Sequence, residues 1–355
     1  MKLTIKNTAK RNLPAGVLGW DVAPNGQTAY AAAMDGVYRV ALADGDHERI
    51  GQHRSYASGV AWINDGGEIV SAGYDGAIQW RAANGSESAG PLREVQAHRF
   101  WSWDIAVSAD RRLIATVTGQ YLAGGYKYEP AAADEPTVKV FNAQDGKRLH
   151  AFDMRPSVQA TAISPDARYV AAGNLMGDVH VWDLSTGQLA AEWNTDAFTS
   201  WGIIKSHCYI GGIFAIEFTP DGEHLLLAGM GPMRDPMAGN GRQLWQRFAW
   251  RDKPAKLVDE THKTDSGEGL METLALHPSG KFFVMAGRLR GGQWNTGFFS
   301  LETGDMLHSL RTDFRVAKAT FYDEGRKLVL AGLATQQHDN KPFGRYHLFD
   351  VRREA

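Results

Sequence analysis

Apolar residues along this chain fall into short runs separated by tight polar turns, and within the runs polar and apolar positions often alternate with the period of a β-strand. The recurring unit opens with an apolar strand that runs into a turn. These turns are Pro24-Asn25-Gly26, Asn64-Asp65-Gly66, Ala109-Asp110-Arg111, Pro165-Asp166-Ala167, Pro220-Asp221-Gly222, Pro278-Ser279-Gly280 and Asp323-Glu324-Gly325. Pro, Asn, Asp and Gly in such clusters set or permit the backbone angles of a reversal. After each turn comes a run of small and β-branched residues, as in Glu68-Ile69-Val70-Ser71-Ala72-Gly73, which suits a strand buried on both faces. A third run alternates and often ends on an aromatic, as in Val179-His180-Val181-Trp182 and Tyr346-His347-Leu348-Phe349. A second turn, such as Ser185-Thr186-Gly187 or Glu302-Thr303-Gly304, then leads into a fourth run.

Seven copies of a four-strand antiparallel unit with no helical phase predict an all-β chain. The architecture they imply is a single seven-bladed β-propeller occupying residues 1–355 as one domain. The last copy reaches its third strand at residues 346–351 and leaves too little chain for a fourth. The segment Lys2–Lys6 alternates polar and apolar and is expected to join the last blade as its outer strand, closing the ring and removing an open edge.

Trp182-Asp183 closes a third strand, preceded by Ser164-Pro165-Asp166 and followed by Ser185-Thr186-Gly187. This unit resembles a blade of the WD-repeat (WD40) family, in the divergent style of its bacterial members, and the likeness extends over nearly the whole chain. The resemblance implies that His53, Ser71, Asp75 and Trp80 form a structural hydrogen-bonded tetrad in the second blade, although Trp80 is followed by Arg81 where the family often has Asp. In the fourth blade Ala172 stands where a Ser or Thr is expected, and blades five to seven match more weakly. A His-Ser-Asp set invites a hydrolase reading, but inside a blade it fixes strands. The family implies an interaction platform with a protein or peptide partner.

Repeats that reuse one scaffold can vary their loops for recognition. The second-to-third strand connections lengthen at residues 119–136, 230–242, 288–295 and 333–343, and the links between blades lengthen at 194–212 and 259–269. In an up-and-down blade these two kinds of connection emerge on the same end, so one face is decorated. That face carries Arg99, Phe100 and Trp101, then Tyr121, Tyr126 and Tyr128, then Trp201, His207 and Arg234, then Arg288, Arg290 and Trp294. Aromatic and Arg residues are the types enriched at binding hot spots, so these are the partner-binding candidates.

Chemistry at the central channel gives the alternative reading, a small-molecule-binding or metal-dependent enzyme with its site at the channel mouth. Counting back from each first turn places Asp21, Ala61, Ala106, Ala162, Glu217, Ala275 and Thr320 around the channel, with Asp104 nearer the loop face and Lys318 able to neutralise a carboxylate. Two carboxylates fall short of the six to eight oxygens a hard cation takes. His207, Cys208, His262 and His338 lie in loops assigned to the decorated face, without the spacing of a metal motif. The loop from Gly119 to Gly125 lacks the Gly-Lys-Ser/Thr ending of a phosphate-binding loop, and no Gly-x-Ser-x-Gly nucleophile elbow occurs. No catalytic residue, metal or cofactor is therefore assigned.

Charge and cysteine content narrow the setting. The 38 basic and 40 acidic residues leave a net charge of -2, against the broad basic surface of a nonspecific nucleic-acid binder. The single cysteine, Cys208, cannot form an internal disulfide. With no apolar leader and no run approaching the roughly 18 residues of a membrane span, the expected location is the cytoplasm.

Overall fold

The computed structural model describes residues 1–124, 127–130, 135–200, 210–235, 240–289, 292–335 and 341–354. Its strands form seven four-stranded antiparallel blades, giving a seven-bladed β-propeller. The first blade, Val17–Val22, Thr28–Ala33, Gly36–Ala41 and His47–Gly51, shows the common plan: four strands in sequence order from the channel outward. The inner strands of the later blades are Ala57–Ile63, Asp104–Val107, Val158–Ile163, Ile210–Phe218, Gly269–Leu276 and Arg315–Tyr322, and each packs beside the next. Arg315–Tyr322 packs in turn against Val17–Val22, which brings the seventh blade beside the first. In the seventh blade the outer position belongs to Lys2–Leu13, which pairs with Pro342–Glu354 from Lys2 opposite Glu354 to Leu13 opposite Gly344. The pairing runs well beyond the expected Lys2–Lys6.

Burial follows the alternation read in the sequence. Every neighbouring pair of blades shares an apolar layer: Ile69 and Tyr30 between blades one and two, Trp80 and Phe141 between two and three, Leu227 and Val179 between four and five. The second strands are buried over most of their length, and Tyr169–Asn174 throughout, because both faces meet a neighbouring blade.

Six of the seven inner strands carry one extra residue against their second strand. The additions fall at Leu18, Ser58, Gln159, Phe214, Glu272 and Ala317, each skipped in the pairing. A bulge re-aims a side chain, and all six residues line the channel. The same displacement reverses the side-chain parity nearer the loop face.

Two long connections are extended hairpins rather than open loops. In blade five, His224–Asp235 and Asn240–Ala249 continue their pairing out to Asp235 opposite Asn240. In blade seven, Lys327–Thr335 and Pro342–Glu354 pair out to Thr335 opposite Pro342. Continuing the ladder satisfies backbone groups that an open loop would leave to water. The third blade instead carries a separate hairpin, Tyr121–Gly124 with Lys127–Pro130.

Candidate functional site

The inner strands enclose a cavity of about 560 Å³ that runs along the channel, and all seven residues of the expected ring line it. Asp21 accepts hydrogen bonds from the backbone N–H of Trp62 at 3.2 Å and of Val22 at 2.9 Å, and from the Arg111 guanidinium at 3.3 Å. Arg111 in turn lies over the Trp62 ring at 4.0 Å. Asp104 accepts from the N–H of Thr161 at 3.1 Å and of Ile105 at 2.9 Å, and the Thr273 hydroxyl accepts from the N–H of Ala319 at 3.2 Å. These three side chains therefore tie one inner strand to the next. Burial raises the pKa of Asp21 and Asp104, opposed by Arg111 at the first and Lys318 at the second.

Glu217 differs. It accepts no hydrogen bond from any described residue, and burial, reinforced by the charge of Asp104 against the opposing charge of Lys318, pushes its pKa up to about 7. Further along the channel, the Nε of Arg315 donates to both oxygens of Glu272, at 2.7 and 2.8 Å. Burial raises Glu272, and Arg315 opposes that rise.

At the loop-face end the channel meets an aromatic cluster. Tyr74 and Trp101 stack at 4.6 Å and 5°, and Phe100 also stacks with Trp101 at 5.1 Å and 8°. Trp103 meets Tyr74, Trp101 and Phe100 edge-on, at 5.4, 5.1 and 6.3 Å, while its indole N–H donates to the Gly119 carbonyl at 2.8 Å. Tyr56 adjoins Tyr74 at 5.9 Å. Trp101 and Tyr56 stay 39% and 41% exposed. Tyr74 also faces Arg315 and Glu272, whose charges act on its phenol, although burial is what chiefly raises its pKa. Of this cluster the sequence reading reached only Phe100 and Trp101. Trp103 was within reach, because alternation along an extended 101–103 segment puts it on the same side as Trp101.

Behind the cluster lies a buried polar network in the second blade. His53 Nε2 lies 2.9 Å from the Ser71 hydroxyl, and His53 Nδ1 lies 3.1 and 3.2 Å from the two Asp75 oxygens. Burial alone would raise Asp75, but the hydrogen bond and charge of His53, with the N–H groups of Ala77 and Arg54, lower it to about 2. A side chain on Gly73 would collide with the His53 ring, so the glycine makes room for it. The linkage has the order of a hydrolase triad, yet Ser71 is fully buried. Trp80, expected as the fourth member, is not part of it. Ser71 pairs with Gln79 and Trp80 with Val70, so Trp80 points to the opposite face, where its indole N–H donates to the Ala143 carbonyl of the third blade at 2.6 Å.

The remaining candidates separate. Arg99 is exposed, and its backbone N–H donates to Glu135 at 2.7 Å. Arg288 is exposed near the end of Phe282–Leu289. Trp294 is not a surface ring: it is 8% exposed and packs edge-on against Phe299 in the layer between blades five and six. Tyr121, Tyr128 and Arg234 lie on described backbone, whereas Tyr126, Trp201, His207 and Arg290, like Cys208 and His338, lie outside the described residues. His262 turns toward the third-to-fourth strand turn of blade six, 3.6 Å from Asp305, because its link folds back along the outside of blade five. Among the described residues no group of three or more His, Cys, Asp or Glu is placed to hold a metal ion, and no helix is long and apolar enough to cross a membrane. A larger groove of about 960 Å³ lies at the turn-bearing end, lined by residues including Asp221, Arg247, Lys281 and Asp305. It lacks the aromatic stack found at the channel mouth, and its carboxyl without a partner among the described residues, Glu302, is exposed.

Fold and site together define a seven-bladed β-propeller with a charged channel and an aromatic mouth. The chain matches no protein-family model, and no curated protein matches it.

Proposed function

We propose that this propeller is a non-catalytic interaction platform of the WD-repeat type, gripping a protein or peptide partner through its loop-bearing face. The observation that carries this reading is the open stack of Tyr74, Trp101 and Phe100 at the channel mouth, beside exposed Tyr56. Rigid aromatic rings offer large contact area at low entropic cost, and one left partly in water lowers the free energy when a partner covers it. The WD-type assignment rests on Trp182-Asp183 and on the Ser71–His53–Asp75 linkage in blade two. The burial of Ser71 favours a strand-fixing role over a nucleophilic one. The near-balanced charge argues for a protein over nucleic acid, and the lone cysteine suits the cytoplasm.

A displayed random-peptide library selected on the full chain tests the reading. The enriched peptides should bind at least about tenfold more weakly to Trp101→Ala than to the parent protein, with the thermal transition unchanged. No enrichment, or binding indifferent to both Trp101→Ala and Tyr56→Ala, would reject it.

A further inference from the structure

With Glu217 ionised, the channel charges do not cancel. Arg315 is taken by Glu272 and Arg111 by Asp21. That leaves Asp104, Glu217 and Lys318, two carboxyl groups to one ammonium. Lys318 influences Asp21, Asp104 and Glu217 through its charge but forms no hydrogen bond or ion pair with any described residue. Glu217 lines the cavity with no donor from any described residue directed at it. Every other lining carboxylate has its partner, so Glu217 is the site's open position.

A single positive charge bearing N–H donors would fill it. Such a group would supply the missing hydrogen bonds and offset the surplus carboxylate. We propose that the channel is a subsite for one ammonium or guanidinium group, which enters past Tyr74 and Trp101 and is held by Glu217 with Asp104. Resting on the platform reading above, the inference assigns the cation to a lysine or arginine side chain of the bound peptide.

Proton linkage follows. A cation needs the Glu217 carboxylate, which bears a proton in the empty channel below about pH 7. The remaining charges facing it are Asp104 and Lys318, with Asp21–Arg111 and Glu272–Arg315 already paired. Binding therefore expels a proton at or below neutral pH and tightens as pH rises.

Calorimetric titration of the full chain would use three probes: acetyl-Gly-Gly-Arg-Gly-Gly-amide, the same peptide with neutral citrulline for arginine, and n-butylguanidinium. The arginine peptide should bind about tenfold more tightly at pH 8 than at pH 6, as the ionised fraction of Glu217 rises from about one-tenth to about nine-tenths. Citrulline should bind at least tenfold more weakly at pH 8, and Glu217→Gln should abolish the pH dependence. Lys318→Met, which removes the competing ammonium, should tighten binding. Equal binding of the arginine and citrulline peptides, or an unchanged pH profile in a folded Glu217→Gln protein, would overturn the subsite. So would failure of both cationic probes to bind. PH-dependent binding of both cationic probes that Trp101→Ala leaves unchanged would keep the cation subsite and reject the peptide platform.

Discussion

Glu135 holds in the third blade the place that Asp75 holds in the second. Each carboxylate accepts the backbone N–H of an arginine that follows a buried histidine, Arg54 to Asp75 at 2.9 Å and Arg99 to Glu135 at 2.7 Å. Glu135 lies 3.8 Å from His98 and accepts from the Lys139 ammonium at 2.7 Å. Burial would raise Glu135, but nearby His98 and the hydrogen bonds from Lys139 and the Arg99 N–H lower it to about 2. The two linkages brace the loop-face ends of adjacent blades, directly behind the aromatic stack.

Removing either carboxylate charge should cost stability. Asp75→Asn and Glu135→Gln are each expected to lower unfolding free energy by about 1–3 kcal/mol at pH 7, measured by urea denaturation. Because the folded pKa of Asp75 lies below its ordinary value, its contribution is present above about pH 4 and fades as pH falls toward 2. The deficit of Asp75→Asn should therefore shrink across that window; a constant deficit would mean that packing, not charge, holds the linkage.

The second linkage shows where the sequence stopped being legible. Repeated turns and strand alternation were enough to read seven blades, because both are local properties of a few neighbouring residues. Asp75 follows Ser71 closely, so a tetrad-like pattern is visible there, whereas in the third blade the long insertion separates Glu135 from Thr116, which pairs with Lys139 as Ser71 pairs with Gln79, and hides the equivalent acid. The Trp80 assignment failed on parity, which requires knowing the partner strand. Counting back from the turns located the ring containing Asp21 and Glu217, but the inner-strand bulges add a residue above it and carry Glu272 into the channel out of phase. Arg315 lies beyond another such bulge, so its meeting with Glu272 could not be read from spacing.

Ala167 occupies a position that favours glycine. Its φ is 56°, beside 63°, 72° and 65° at Gly26, Gly222 and Gly280 in the corresponding turns. A Cβ in this region meets steric opposition that glycine lacks. Ala167→Gly is expected to raise unfolding free energy by about 0.5–1 kcal/mol despite the greater freedom glycine gives the unfolded chain. A lower melting temperature would show that the Ala167 methyl group contributes more than its strain.

Gly19 marks a close backbone approach of blades one and two. A Cβ there would come within 2.7 Å of the Gly59 Cα and 3.1 Å of the Ser58 carbonyl, both backbone atoms unable to rotate aside. Gly19→Ala should separate the inner strands and cost about 1–3 kcal/mol. The Asp21 bond to the Trp62 N–H spans the same seam, so hydrogen exchange at the Trp62 amide should accelerate by more than at Ala319. Equal acceleration at both would point to global loosening instead.

Glu217 offers a test in which the mutant gains stability. With its folded pKa raised to about 7 from an ordinary 4.5, the folded protein holds a proton that the unfolded chain has released between those values. Unfolding free energy therefore falls as pH rises from about 4.5 to 7, and the penalty is fully present above that. Glu217→Gln removes the ionisable proton while keeping nearly the same shape, so it should stabilise the protein by about 1–3 kcal/mol at pH 8 and change it little at pH 4. Paired urea titrations at the two pH values measure the difference. A destabilised Glu217→Gln at pH 8 would mean that the ionised carboxylate is already compensated within the channel, which would also remove the physical basis for a vacant cation position. A gain at pH 8 would show the charge uncompensated, and any accompanying loss of arginine-peptide binding could not be attributed to unfolding.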